Sequence, residues 1–219
     1  GERLLIANAS GCSAAISSNL PTSPWTINAH GRGPAGASSH YVDTAEFGYG
    51  FRLALDARAP EGGRPSVWIV GGDGWACDSG FAGLDHVLSR GRDINILVLD
   101  TEICSSTGGQ IAKSTPCGVV GKFAPRGKET PKCDLFRVGL RHPNVYVAQV
   151  AIGANPQQAI RAFREAEAHT GPSLILAYCP CVAHGFNLKR GHHHQAMAVH
   201  SGHWPLFRYH PDLPEAPRL

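Results

Sequence analysis

The residues best equipped for chemistry are oxygen donors gathered directly after two apolar runs. The first group is Gly71-Gly72-Asp73-Gly74, following Ser66–Val70. The second is Asp100-Thr101-Glu102-Ile103 with Ser105-Ser106-Thr107-Gly108-Gly109-Gln110, following Ile94–Asp100. A carboxylate, a hydroxyl and a free backbone carbonyl are hard ligands of the kind Mg²⁺ takes, with phosphate and water completing its octahedron. Glycines on either side let backbone N–H groups come close to a diphosphate. G-D-G alone is a weak signal, because an ordinary strand-end turn uses the same letters. The spacing is stronger: Asp73 and Thr101 are 28 positions apart, the length of one helix and one strand. Both then stand at neighbouring strand ends, where open α/β sheets bind ligands.

The elements that must position these groups can be read from periodicity. Arg3–Ala9 is a buried strand ending at Gly11, and Pro21–Ser39 reads as a long loop. Asp43 with Glu46 forms a capping box, opening a helix whose apolar face is Phe47, Phe51 and Leu55. Pro60–Pro65 is a turn, Ser66–Val70 a strand, and Gly71–Gly74 a glycine loop. Phe81, Leu84 and Leu88 mark a helix closed by Gly91, and Ile94–Asp100 is a strand. Ser105–Arg141 has little periodicity. Val145–Ala151 and Ser173–Tyr178 are strands around a helix that Asn155-Pro156 opens and that runs to about Ala168. Strands alternating with single helices predict an α/β fold: one doubly wound, mostly parallel sheet with helices on both faces, as a single domain over residues 1–219.

Composition narrows the function classes. A net charge of +3 spread over 219 residues argues against a nucleic-acid partner. The longest apolar run, Ile94–Leu99 broken by Asn95, is far below the roughly 18 residues of a membrane span. Seven cysteines, an odd number scattered along the chain, suit a reducing cytoplasm better than a disulfide framework. The start, Gly1 rather than methionine, suggests a piece of something longer.

The wording around the two strand ends is narrower than the spacing. V-W-I-V-G-G-D-G-W-A at Val67–Ala76, G-L-D-H-V-L-S-R-G-R-D at Gly83–Asp93 and L-D-T-E at Leu99–Glu102 resemble pyruvate:ferredoxin oxidoreductase. So do I-A-N-A-S-G-C-S at Ile6–Ser13, N-V-Y-V-A-Q-V-A at Asn144–Ala151 and S-G-H-W-P-L-F-R-Y at Ser201–Tyr209. The resemblance covers nearly the whole chain and corresponds to the carboxy-terminal, thiamine diphosphate-binding domain of that large enzyme. It implies oxidative decarboxylation of a 2-oxo acid, pyruvate by default, with the acyl group passed to coenzyme A and electrons to ferredoxin or flavodoxin. It also implies Mg²⁺ held by Asp73, Thr101 and the Ile103 carbonyl, with Gly72, Gly74, Trp75 and Thr107 facing the cofactor. Cys12 and Cys181 match two ligands of a [4Fe–4S] cluster; the other two belong to a C-x-x-C that lies upstream in relatives. The family's Y-S-N-T-G-G-Q reads C-S-S-T-G-G-Q here, so Ser106 stands where an asparagine normally faces substrate. The glutamate that activates the thiamine pyrimidine lies on a separate pyrimidine-side domain, and a homo-oligomer or larger chain is implied. Two other readings stand beside this one: a non-redox thiamine-dependent decarboxylase or carboligase half, and a non-catalytic truncated module.

Other features have plainer explanations. His192, His193, His194, His200, His203 and His210 read as a solvated polar tail rather than a zinc site. Lys113 to Arg141 is a loosely basic stretch, read as a solvated face that could alternatively dock an acidic electron carrier. Trp75 either walls the site or packs as a core aromatic, and His184 is expected to be a hydrogen-bonded structural residue. A substitute cluster pair from Cys77, Cys104, Cys117, Cys133 and Cys179 is less expected than free thiols.

Overall fold

The computed structural model describes residues 4–16, 27, 29–31, 33–39, 42–58 and 65–213. Seven strands form one sheet: β1 (Leu4–Ala9), β2 (Ala35–Ser39), β3 (Ser66–Gly72), β4 (Asn95–Asp100), β5 (Tyr146–Val150), β6 (Ser173–Tyr178) and β7 (Phe207–Tyr209). Their order is β2-β1-β3-β4-β6-β5-β7, parallel throughout except for the β5–β7 pair. The helices are α1 (Thr44–Arg58), α2 (Phe81–Ser89), α3 (Leu135–Leu140), α4 (Pro156–Ala168) and α5 (Gly191–His200).

Alternation along the strands divides the core in two. Ala7, Ile69, Ile96, Val98, Val147 and Leu174 face one side, against residues of α1, α2, α3 and α5. Ile6, Trp68, Val70, Tyr146, Ala148 and Ile175 face the other, where Ala159, Ala162 and Ala166 give α4 a smooth contact surface. Helices therefore lie on both faces, four on one and one on the other. This is the doubly wound architecture expected. Each fully buried Ile or Leu here contributes roughly 1.5–3 kcal/mol.

Several local expectations are matched closely. Asn155 caps α4, its side-chain oxygen accepting from Gln158 N at 2.9 Å, with Pro156 in the first turn. Gly91 ends the α2 segment in the left-handed region at φ 65°. Four expectations need correction. The loop reading of Pro21–Ser39 fails at its end, because Ala35–Ser39 is the edge strand β2, paired with β1. The glycine loop Gly71–Gly74 is shorter than expected: β3 extends through Gly72, and Asp73 already begins the next helical turn.

The face of α1 is the third correction. Its buried residues are Thr44, Ala45, Gly48 and Arg52; of the expected face Phe51 packs half-buried against the core, while Phe47 is 37% exposed and meets the Phe51 ring at a tilt, centroids 4.7 Å apart. Gly48 explains this face. A Cβ there would stand 2.3 Å from Ile69 Cγ1 and 3.1 Å from Ala7 Cβ, so the helix lies on the sheet through its smallest residue. The Asp43 carbonyl accepts from Phe47 N, while the Glu46 carboxylate lies against Gly83 of α2. Fourth, the histidine-rich tail is not a solvated extension: Gly191–His200 is α5, docked through Gln195 and Ala198, and β7 joins the sheet. Of the turn read at Pro60–Pro65, all but Pro65 lies outside the described residues.

Candidate active site

From β1 the chain moves to β2 on one side of it, and β3 then pairs on the other. That reversal opens a crevice beyond the carboxyl ends of the strands, the usual ligand position in such sheets. A cavity of about 950 Å³ occupies it, walled by 9–13 at the end of β1, 72–75 at the end of β3, Thr101 and 103–107 after β4, and Cys179 after β6. The two oxygen-bearing groups picked out by spacing meet there.

Asp73 is 2% exposed, at the first position after β3. Its Oδ1 accepts from Thr101 N at 3.1 Å and faces Thr101 Oγ1 at 2.9 Å. Thr101 Oγ1 also lies 2.8 Å from the Ile103 carbonyl oxygen. A hydroxyl carries one proton, so it cannot donate to both acceptors at once. One close oxygen pair is therefore always left without a hydrogen between them. The spacing is that of a cation's ligands: oxygens at 2.0–2.1 Å from Mg²⁺ on adjacent octahedral vertices are about 2.9 Å apart. The residues present thus fit a Mg²⁺ corner, with a carboxylate, a hydroxyl and a carbonyl as its protein ligands.

Several side chains support this corner, and of them the sequence reading anticipated only His184. Asp73 Oδ2 accepts from the fully buried Ser114 hydroxyl. Glu102 turns the chain between Thr101 and Ile103 at φ 61°, a left-handed conformation that costs a non-glycine residue about 1 kcal/mol or more. Buried partners keep it there. Lys132 Nζ lies 2.7 Å from Glu102 Oε1 and 2.8 Å from Asp100 Oδ2, and His203 Nε2 lies 3.0 Å from Glu102 Oε2. Burial pushes the Glu102 carboxyl up, but the His203 hydrogen bond and the Lys132 charge outweigh it and leave it below the usual range. Asp100 goes the other way, raised by burial to about 7 despite Lys132. The Glu102 hydrogen bond in turn raises His203. His184 Nε2 donates to the Thr101 carbonyl at 3.0 Å, the structural role expected of it.

Lys128 organises the loop that delivers Ser114. Its Nζ donates to the carbonyls of Lys113, Thr115 and Pro131 at 2.8, 2.6 and 3.0 Å. No local pattern marks these partners, because apart from the Lys128–Pro131 bond each lies far along the chain from what it touches; only the presence of Ser, Lys and Glu in an aperiodic stretch was visible.

The comparisons with known proteins identify the domain that carries this crevice. The family model of the thiamine pyrophosphate enzyme C-terminal TPP-binding domain matches residues 11–177. The chain belongs to this family. A pyruvate-flavodoxin oxidoreductase of Trichormus variabilis is 43% identical over 97% of the chain and 23% of its own length. The pyruvate:ferredoxin oxidoreductase of Moorella thermoacetica is 39% identical over 97% of the chain and 24% of its own length. The chain thus spans about a quarter of the curated relatives it matches. The first alignment runs over 279 positions against 219 residues here, so at least 60 of its positions have no counterpart in this chain. In fold, the chain is similar to a 2-oxoglutarate:ferredoxin oxidoreductase from Magnetococcus marinus, with TM-score 0.66 and 18% identity over 85% of this chain and 56% of that one.

In this TPP-binding domain the other singled-out residues fall as follows. Space beside Gly72 is open, whereas a Cβ on Gly74 would reach Cys104 Sγ at 2.9 Å. Trp75 borders the cavity but is 8% exposed, its indole folded between Gly71 and Gly80 and donating to the Val42 carbonyl at 3.1 Å. Both sequence readings of Trp75 describe it: it packs in the core and its edge walls the crevice. The segment Trp75–Ser79 is a π turn, a local widening that recurs at functional sites. Ser106 and Thr107 are exposed to the cavity, Ser106 opposite Gly11, whose φ of 113° keeps that approach open. Gln110 Nε2 donates to the Thr107 carbonyl at 2.9 Å, closing the loop that carries both.

Cys12 lies exposed in the cavity wall, 3.6 Å from Ser105 Oγ, and Cys181 is buried just after β6, accepting from Ala183 N. All seven cysteines are free, and no three of them come together as a ligand set among the described residues. The basic stretch is not one solvated face: Lys128 and Lys132 point inward, while Lys122 lies over Phe123 at 5.4 Å. Among the described residues no helix is long and apolar enough to cross a membrane.

Proposed function

We propose that this chain, as one domain over residues 1–219, is the thiamine diphosphate- and Mg²⁺-binding unit of a cytoplasmic pyruvate:ferredoxin or pyruvate:flavodoxin oxidoreductase. The observation that carries the reading is the single Thr101 hydroxyl shared between Asp73 Oδ1 and the Ile103 carbonyl, a corner built for a small hard cation. Relatives of 39–43% identity along the length of the chain support the redox assignment.

In this reading Asp73, Thr101 and Ile103 hold the metal, which anchors the diphosphate. Gly72 and Gly74 let the backbone come close, and Thr107 faces the cofactor. Bound thiamine diphosphate supplies a nucleophilic carbon and an electron sink for decarboxylation. Ser114 fixes the second carboxylate oxygen of Asp73, and the Glu102 turn aims the Ile103 carbonyl. Trp75 excludes water from one wall. Ser106, with a shorter side chain and no amide donor, lies where a 2-oxo acid would be recognised. Cys12 and Cys181 are two ligands of a [4Fe–4S] cluster whose remaining thiolates come from elsewhere in the enzyme. The activating glutamate is supplied by a pyrimidine-side domain, coenzyme A accepts the acyl group, and the complete enzyme is a homo-oligomer.

The test is calorimetric titration of thiamine diphosphate into the chain together with the pyrimidine-side domain, with and without Mg²⁺. Losing even an outer-shell partner of a metal ligand weakens metal sites by about 10–100-fold, so Asp73→Asn should weaken Mg²⁺-dependent binding by at least about 100-fold. Binding that ignores Mg²⁺ or the substitution would overturn the metal corner. Absence of iron from the assembled enzyme would overturn the redox reading in favour of a non-redox thiamine enzyme.

A further inference from the structure

At the opposite end of the sheet from the crevice, where β5 and β6 begin, three side chains converge that the reading above does not use. His169 caps α4, and His210 and Asp212 follow β7. One ligand atom from each lies within 4.8 Å of the other two, and this is the only such group of His, Cys, Asp and Glu among the described residues.

The protonation of the two rings can be read from their partners. His169 is buried, and its Nε2 lies 2.9 Å from the Asn144 carbonyl. A carbonyl only accepts, so Nε2 carries the proton and Nδ1 presents a lone pair. Gly171 makes room for this bond, since a Cβ there would stand 2.7 Å from His169 Nε2. His210 Nδ1 lies 3.3 Å from Asp212 N, a long contact that engages its lone pair until a metal displaces it. Those two nitrogens lie 4.0 and 3.9 Å from Asp212 Oδ2. One atom from each of the three side chains thus reaches a common space, at separations too long for hydrogen bonds between them and short enough for a metal to bridge.

We propose that His169, His210 and Asp212 form a zinc site, with two imidazole nitrogens, one carboxylate oxygen and a water as the fourth ligand. Imidazole and carboxylate are regular zinc ligands, and an imidazole whose far nitrogen donates to a backbone carbonyl is the usual arrangement around a bound metal. Tetrahedral ligands at 2.0–2.1 Å are about 3.3 Å apart, so both contacts to Asp212 Oδ2 must shorten by roughly half an ångström or a little more. That movement is open to Asp212, with its side chain 76% exposed. The two imidazoles, whose ligand atoms lie within 4.8 Å of each other, must also draw together. The site joins the segment after β7 to the starts of β5 and β6, and so acts as a clasp on the edge of the sheet, apart from the Mg²⁺ corner.

The test uses the whole chain, purified without a polyhistidine tag, titrated with Zn²⁺ against a chromophoric chelator and with Co²⁺ by visible absorption. One equivalent should bind, and Co²⁺ should show the intense bands of tetrahedral coordination. Asp212→Asn should weaken binding at least tenfold and His210→Asn should abolish it. The double substitution His192→Asn/His193→Asn, on exposed residues of α5, should change nothing. Asp212 is exposed, so its variant keeps the test valid if His210→Asn folds poorly. Undiminished binding in Asp212→Asn, loss of binding in the His192/His193 variant, or no binding at Zn²⁺ up to about 100 μM would each overturn the proposal.

Discussion

Replacing Lys132 by methionine tests how the left-handed turn at Glu102 is held. Lys132 Nζ sits 2.7–2.8 Å from two carboxylates whose side chains are only 5% and 8% exposed, and 4.8 Å from the Trp204 ring. At an effective dielectric of about 20, each contact represents roughly 6 kcal/mol of bare attraction, most of it offset by desolvation. Stranding a buried charge by removing its partner costs about 3–5 kcal/mol. Two features reduce that here: His203 still serves Glu102, and Asp100, already raised to about 7, can take up a proton. A loss of about 2–4 kcal/mol at pH 8 is expected, read as a lowered urea midpoint at unchanged slope. The pH dependence has a definite sign. A carboxyl raised on folding binds more protons in the native state, so stability falls as pH rises from about 4 through 7. Without Lys132 that rise in pKa grows, so the penalty of Lys132→Met should be larger at pH 8 than at pH 5.5. A loss below 1 kcal/mol at pH 8, or a penalty that grows on acidification, would refute the account of the turn.

Gly71→Ala should cost about 1–3 kcal/mol and shift tryptophan emission to the red, because the new Cβ would stand 2.3 Å from Trp75 Cε3; Gly72→Ala, facing open space, should change stability by less than about 0.5 kcal/mol. Arg208→Met should remove about 1–2 kcal/mol above pH 6, measured by thermal melts across pH. Burial works against the Glu165 carboxyl, but hydrogen bonds from Arg208 and Tyr146 hold it below its usual range, so its contribution is present above about pH 4.5 and lost as pH falls through the folded value. The Arg208 penalty should therefore fade below pH 4, and a penalty independent of pH would assign Arg208 a packing role alone.

Where side chains met water or core with a clear period, the chain's elements were legible. Strands β3 to β6 show as runs of branched apolar residues, and Asn155-Pro156 marks the start of α4 to the residue. Edge strand β2, Ala-Gly-Ala-Ser-Ser, carries no such signal, since it is half exposed and takes its form from pairing with β1. The face of α1 was read only in part: Phe51 packs against the core as expected, but the closest approach to the sheet falls on the smallest residue, Gly48, and Phe47 is left exposed. At the site, Asp73 and Thr101 could be found because each sits directly after a strand, whereas Ile103 came from the family resemblance. Ser114, Lys132 and His203 could not, since only tertiary folding brings them within 3 Å or so of the corner they support, and Lys128 acts one step further back, on the loop that carries Ser114. The conformation of Glu102, the strained link between two ligands, has no sequence signature at all.

The insertion of β6 between β4 and β5 bears on how the protein is made. Each residue of β4 pairs with one 78 positions downstream, from Asn95 with Ser173 to Asp100 with Tyr178. Contacts of such long range are slow to form, because the entropy of closing the loop precedes any gain from it. At about 5–20 residues per second, synthesis takes roughly 4–16 s to deliver the partner. During that interval one edge of Asn95–Asp100, the strand that leads into the metal corner, has no neighbour. That strip is the place where a stalled chain would first pair with another copy of itself.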